Sequence, residues 1–157
     1  VEKYRKELNI KEHNDSTIKE DFFEFLEERD YSLSYKMPFL LAIVKHIDSI
    51  GDAKIEEVLD DYIAFYQNRL SRGLQVDRST CPYDEKMLKD RKAVQRNMLT
   101  NPFEKFERKR FLYYSKDLSV ISMNHALFGQ MKAEDWERVR KQMREDLRKY
   151  YDGMGGV

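Results

Sequence analysis

One cysteine, Cys81, stands in a chain of 157 residues, so no internal disulfide can form and the fold has to be held by packing. Six glycines and three prolines are too few for a loop-rich β sandwich. The longest apolar run, Phe39 to Val44, covers six residues, against the roughly 20 that a membrane-crossing helix needs. No membrane span is expected. Residues 1–10 are charged and lack the apolar core of a secretory signal, which points to a cytoplasmic protein. Glycines cluster only at Gly153, Gly155 and Gly156, so a glycine-rich phosphate loop is missing. His13, His46 and His125 stand apart from one another and from Cys81, and no zinc-type spacing results. Neither a metal nor another cofactor is expected. Cys81 has no histidine beside it in sequence and reads as a quiet thiol rather than a nucleophile.

What the chain does have is 41% hydrophobic residues, including nine Phe and ten Tyr, alternating with charged residues at helical spacing. That predicts a mainly α protein with a small β hairpin. The start on a charged helical pattern at Val1 is what a domain cut from a longer polypeptide presents, so a parent protein is expected. Residues 1–30 read as an N-terminal helical extension, 31–151 as the main domain and 152–157 as a flexible tail.

Along the chain, Val1 to Asn9 suggests a short helix, and Thr17 with Glu20 suggests a capping box opening a helix to about Arg29. Ser34 and Pro38 mark the start of a central helix in which Phe39, Leu40, Leu41, Ile43, Val44, Ile47 and Ile50 cover nearly every side, with Gly51 as its stop. A strand of two or three residues or a turn is expected at Asp52-Ala53-Lys54-Ile55, then a helix from Glu56 to about Arg72 capped by Gly73. Residues 74–83 have no period and predict an extended connection. A third helix is expected from Asp84 to about Leu99, with Met87, Val94 and Met98 inward and Lys89, Lys92 and Arg96 on the opposite face. Arg91 falls in the apolar arc and predicts a buried salt bridge to an acid of another helix. Asn101 to Glu104 opens a short turn whose Phe103 and Phe106 plug the core. Residues 110–114 and 118–123 predict a hairpin around Ser115-Lys116-Asp117. Asn124 caps a turn, and a last helix runs from Lys132 to about Tyr151 with Trp136, Val139, Met143, Leu147 and Tyr150 on one side.

Overall charge is zero, 29 basic residues against 29 acidic ones, yet the signs are segregated. From Glu12 to Asp30 eight acids face two bases, a net of −6, and from Lys86 to Arg110 nine bases face three acids, a net of +6. Such a division marks a nucleic-acid contact or two faces that complement each other within one fold.

A core helix, short strand, second helix, basic third helix and hairpin follow one another in winged-helix order. In that arrangement a helix enters the major groove while the hairpin reaches phosphates. Lys86, Lys89, Lys92, Arg96, Lys105, Arg108, Lys109 and Arg110 are the candidate nucleic-acid-binding residues, with DNA as the expected partner. Phe111, Tyr113 and Tyr114 either stack bases or pack across the hairpin. The ten-residue connection at 74–83 departs from a compact helix-turn-helix. Glu107-Arg108-Lys109 with Asp84 or Asp90 superficially matches an acid plus E-x-K nuclease pattern, but that chemistry needs the carboxylates presented by a sheet. No catalytic residue is assigned.

Residues 34–42, together with Asn101-Pro102-Phe103-Glu104-Lys105-Phe106 and 118–124, resemble the C-terminal accessory region of bacterial DEAD/DEAH-type (superfamily II) helicases associated with restriction and phage-defence-like genes. The similarity spans roughly Tyr31 to Tyr151 and rests on core patterning. It implies an ATPase motor upstream of Val1 and a role in positioning nucleic acid or the motor, with the rest of the parent polypeptide as a partner. The alternative reading is a protein-docking or autoinhibitory module that binds no nucleic acid.

Overall fold

The computed structural model describes residues 14–29 and 31–157; the helix expected at Val1 to Asn9 lies outside them. The chain is mainly helical with a three-stranded antiparallel sheet. In order, the elements are α1 (Ile18–Glu27), α2 (Lys36–His46), β1 (Asp52–Lys54), α3 (Ile55–Ser71), α4 (Glu85–Lys89), α5 (Arg91–Thr100), α6 (Pro102–Arg108), β2 (Leu112–Ser115), β3 (Val120–Met123), α7 (His125–Gln130) and α8 (Ala133–Tyr150). A 3-10 turn at Asp152–Met154 follows.

The centre is α2. Met37, Phe39, Leu40 and Ile43 are fully buried because α3, α8, α6 and β1 all pack around this one helix. Apolar residues on nearly every side produce that result directly. The helix ends at His46, earlier than expected. Asp48 accepts hydrogen bonds from the amides of Ile50 and Asp52, both at 3.0 Å, and this side-chain turn competes with helix continuation. Ile50 is thereby left 67% exposed, and Gly51 (φ +90°) serves the turn into β1 rather than a helix stop.

The sheet has the order β1-β3-β2. β1 adds to the outer side of the hairpin with Ala53 opposite Ile121, and Ser122 donates to the Asp52 carboxylate at 2.6 Å. Leu112 lies opposite Met123 and both are buried. The hairpin loop is 116–119, one residue longer than expected, and Ser119 takes the left-handed conformation (φ 54°).

One further start differs from expectation. Thr17 is already helical and makes no cap; instead Asn14 Oδ1 accepts from the amides of Ser16 and Thr17 at 3.0 and 3.1 Å. The Glu20 end of the expected capping box is exposed. Gly73 (φ 72°) does terminate α3, donating to the Leu70 carbonyl at 3.0 Å. The Asn124 side chain caps α7 by accepting from Ala126 and Leu127.

Two aromatic groups fill the interior. Phe22, Phe25, Phe39, Phe103, Phe106 and Phe111 join α1, α2 and α6 to the start of the hairpin through edge-on and tilted contacts. Tyr35, Tyr62, Tyr66 and Tyr83 form the second group, where burial pushes every hydroxyl's pKa upward. Their oxygens are satisfied within the fold: Tyr62 and Tyr83 hydroxyls lie 2.8 Å apart, and Tyr83 donates to Asn97 Oδ1 at 2.7 Å.

Beside them sits a buried carboxylate. Asp77, 4% exposed, accepts from the Ser34 amide (3.0 Å), the Ser34 hydroxyl (2.6 Å), the Arg78 amide (2.6 Å) and the Tyr150 hydroxyl (2.5 Å). Four donors make a buried charge tolerable and fasten the 74–83 connection to α2 and α8. The end of the chain, expected as a flexible tail, is tied down as well. Arg69, 1% exposed, donates to the carbonyls of Gln75 (2.7 Å), Gly156 (2.6 Å) and Met154 (2.9 Å) and lies 3.7 Å over the Tyr151 ring. A buried guanidinium needs acceptors, and backbone carbonyls at 152–157 supply two of them.

Candidate nucleic-acid interface

The basic segment is built differently from a single amphipathic helix. Asp90 breaks it: its backbone leaves the helical region (φ −96°, ψ 89°), its amide closes α4 and its carboxylate caps α5 by accepting from Ala93 at 3.2 Å. Asp84 caps α4 in the same way, accepting from Met87 at 2.8 Å. Helical phase is therefore lost between Lys89 and Lys92, and Leu88 rather than Met87 is the fully buried residue. The expectation of one continuous face carrying Lys89, Lys92 and Arg96 is corrected to two short helices, α4 with Lys89 and α5 with Lys92 and Arg96.

These helices remain contiguous. α4 contacts α5, α5 contacts α6, and α6 contacts β2. Lys86 and Lys89 lie on α4, Lys92 and Arg96 on α5, Lys105 and Arg108 on α6, and Lys109 and Arg110 in the turn before β2. All are exposed except Lys109, which is half-buried with its ammonium 5.9 Å from the Phe25 ring. Local carboxylates neutralise part of the set: Lys89 pairs with Glu85 at 3.3 Å and Arg108 with Glu104 at 3.2 Å. Among the described residues, Lys86, Lys92, Arg96 and Lys105 make no ion pair. Exposed i,i+4 pairs are worth only a few tenths of a kcal/mol, so Lys89 and Arg108 remain available to a stronger anion.

Arg91 binds two acids of another helix, Glu56 and Asp60 of α3, each at 2.9 Å. It is not buried, as its side chain keeps 40% exposure. These acids hold its pKa above the ordinary value against the opposing effect of desolvation. The pair staples α5 to α3 and takes Arg91 out of the candidate interface.

Of the hairpin aromatics, Phe111 is fully buried against Phe22, and Tyr114 packs on Phe103 at 6.3 Å. Phe111 presents no face for a base, and Tyr114 is half-buried. Tyr113 alone of the three is 43% exposed, and Leu118 at the hairpin loop is 74% exposed.

Comparison of the chain with protein families, with curated proteins and with solved structures yields no match. The functional reading therefore stands on this chain's own residues.

Among those described, no three of His, Cys, Asp and Glu come together as a metal-binding group. Asp84 and Asp90 spend their carboxylates on helix amides, and Glu107 is exposed at the end of α6. Cys81 is half-buried, burial pushes its thiol up, and the Tyr35 hydroxyl lies 3.6 Å from its sulfur. His46 is held between Asp61 (2.7 Å) and Glu57 (3.3 Å) of α3. No described helix is long and apolar enough to cross a membrane.

Some residues of consequence were not legible in sequence. Lys36 is one: 8% exposed, it donates to the Phe25 carbonyl at 2.9 Å with its ammonium 4.1 Å over the Phe25 ring. Desolvation lowers its pKa to about 8. Position three residues before the Phe39-Leu40-Leu41 run was the available signal, since a lysine there begins a helix buried on all sides.

Proposed function

We propose that this chain is a noncatalytic, cytoplasmic accessory domain of a larger helicase-like DNA-processing protein. In this reading it has a winged-helix-like core and contacts DNA through α4, α5, α6 and the hairpin. The observation that carries the reading is the set of four exposed cations, Lys86, Lys92, Arg96 and Lys105, that make no ion pair among the described residues and stand on consecutive helices that touch one another and lead into the hairpin. Positive charge left without carboxylates on a folded surface is what phosphate backbones exploit.

The sheet supports the core comparison. In a winged helix a strand after the first core helix joins the outer side of a later hairpin, and β1, between α2 and α3, pairs with β3 in that manner. Breaking the third helix at Asp90 favours phosphate contact from several helix ends over insertion of one long recognition helix. Binding in this mode positions a duplex without reading its sequence.

The test uses the combined change Lys92→Glu, Arg96→Glu and Lys105→Glu, with binding of a fluorescein-labelled duplex followed by anisotropy. Lys54→Glu, Lys141→Glu and Lys149→Glu, at exposed positions on other elements, provide a control of equal net charge. Affinity falls at least about tenfold in the first variant and much less in the second, since exposed charges further than a Debye length are screened. Equal loss in both, or no duplex binding by the parent chain at low salt, favours the docking reading instead.

A further inference from the structure

Away from the basic helices, α2, α3 and α8 enclose an open groove of about 430 Å3. Its floor is apolar, with Leu41 of α2 and Phe65 of α3 half-buried there. Around it stand Lys45 of α2 and Arg140 and Arg144 of α8, against one carboxylate, Asp61 of α3. That carboxylate is already engaged, at 3.2 Å by Lys45 and 2.7 Å by His46. Arg140 is held by its own helix neighbour Glu137 at 3.1 Å. Arg144 is exposed and makes no ion pair among the described residues.

We infer that this groove docks an acidic amphipathic helix of a partner protein, with large apolar side chains on Leu41 and Phe65 and a carboxylate on Arg144. Three considerations select this occupant. Of the three lining cations Lys45 pairs with Asp61 and Arg140 with Glu137, which leaves Arg144 as the charge to be met, so the complement carries a carboxylate there. An apolar floor gives nothing to a phosphate backbone but buries leucine or phenylalanine anchors, and the volume falls in the range of sites that hold a few such groups. Walls made of two helices over a third offer ridges between which a further helix packs. The inference is independent of DNA binding by α4 to α6.

The experiment is a display selection on the full chain with a library of amphipathic helical peptides randomised at apolar and charged positions. Recovered peptides are then titrated by anisotropy against wild type, Arg144→Glu, Arg144→Lys and Leu41→Gln. The groove predicts acidic peptides with large apolar residues three and four apart, a loss of about tenfold or more for Arg144→Glu, retention for Arg144→Lys and weakening for Leu41→Gln. Arg144 is exposed, so an unchanged unfolding midpoint for Arg144→Glu separates lost docking from lost fold. The inference is overturned if no helix is recovered, if recovered helices lack acidic residues, or if Arg144→Glu binds them as well as wild type. It is equally overturned if Arg144→Glu abolishes binding of duplex DNA, which would make the groove part of a nucleic-acid surface.

Discussion

Replacing Arg69 by methionine keeps an unbranched apolar stem and removes the guanidinium, whose central carbon lies 3.7 Å over the Tyr151 ring. Three carbonyls in part-buried hydrogen bonds, those of Gln75, Met154 and Gly156, then lose donors that now sit at 2.6 to 2.9 Å. An unsatisfied buried polar group costs about 1–3 kcal/mol, while the desolvation carried by the buried cation is recovered. The three losses are not additive, because freed segments at 152–157 can turn their carbonyls to water. Gln75 is itself exposed, which lowers its share. The net expectation is about 3 kcal/mol of destabilisation. With a urea slope of about 2 kcal/mol/M for a domain of this size, the unfolding midpoint drops by about 1.5 M. Arg69→Lys should fall between, since one ammonium reaches some of the acceptors but not all three in a fork. Limited proteolysis supplies a second readout: cleavage after Tyr151 accelerates in Arg69→Met while the core resists. A midpoint within about 0.3 M of wild type, with the end equally protected, would refute the assignment of Arg69 as the clamp.

Lys36→Met should stabilise the protein by about 1–2 kcal/mol at pH 7, because the penalty of burying an ammonium exceeds one hydrogen bond to Phe25. The sign of its pH dependence is fixed: between pH 8 and the ordinary lysine value the unfolded chain binds more protons, so wild-type stability rises with pH there. That rise should be absent in Lys36→Met when urea melts are compared from pH 7 to about 9, about one unit below the value at which unfolded tyrosines ionise. Ser119→Gly relieves a left-handed serine in the hairpin loop and should raise the urea midpoint, adding about 0.5–1 kcal/mol. Asp90→Ala removes the cap of α5 and should cost about 1 kcal/mol in the same assay.

Periodicity carried most of the helices. The all-round apolar stretch of α2, the Phe103 and Phe106 plugs, Gly73 and Asn124 act through neighbours within one turn, and such local chemistry is readable from residue order. Asp90 was misjudged because its neighbours keep good helical spacing on both sides. Only the competition of its side chain for the Ala93 amide ends one helix and begins another. Ile50 was misjudged for the same reason, with Asp48 as the competitor. The Asp77 cluster and the Arg69 clamp join residues far apart in the chain. No local pattern announces them. The candidate interface was legible as a run of charge, but which cations are paired depends on folding: Arg91 reaches acids on α3, while Lys86, Lys92, Arg96 and Lys105 find none among the described residues. The groove between α2, α3 and α8 was invisible for a like reason, as Lys45 and Arg144 meet only through packing.

The most direct test of phosphate contact by the basic helices is the salt dependence of duplex binding by the whole chain. If Lys86, Lys92, Arg96 and Lys105 each displace a counterion, they contribute about −3.6 to the slope of log K against log salt, and changing all four to glutamine makes the slope shallower by that amount, with Lys89 and Arg108 left to supply the remainder. A slope unchanged by the four substitutions, or binding too weak to titrate even at low salt, contradicts the account.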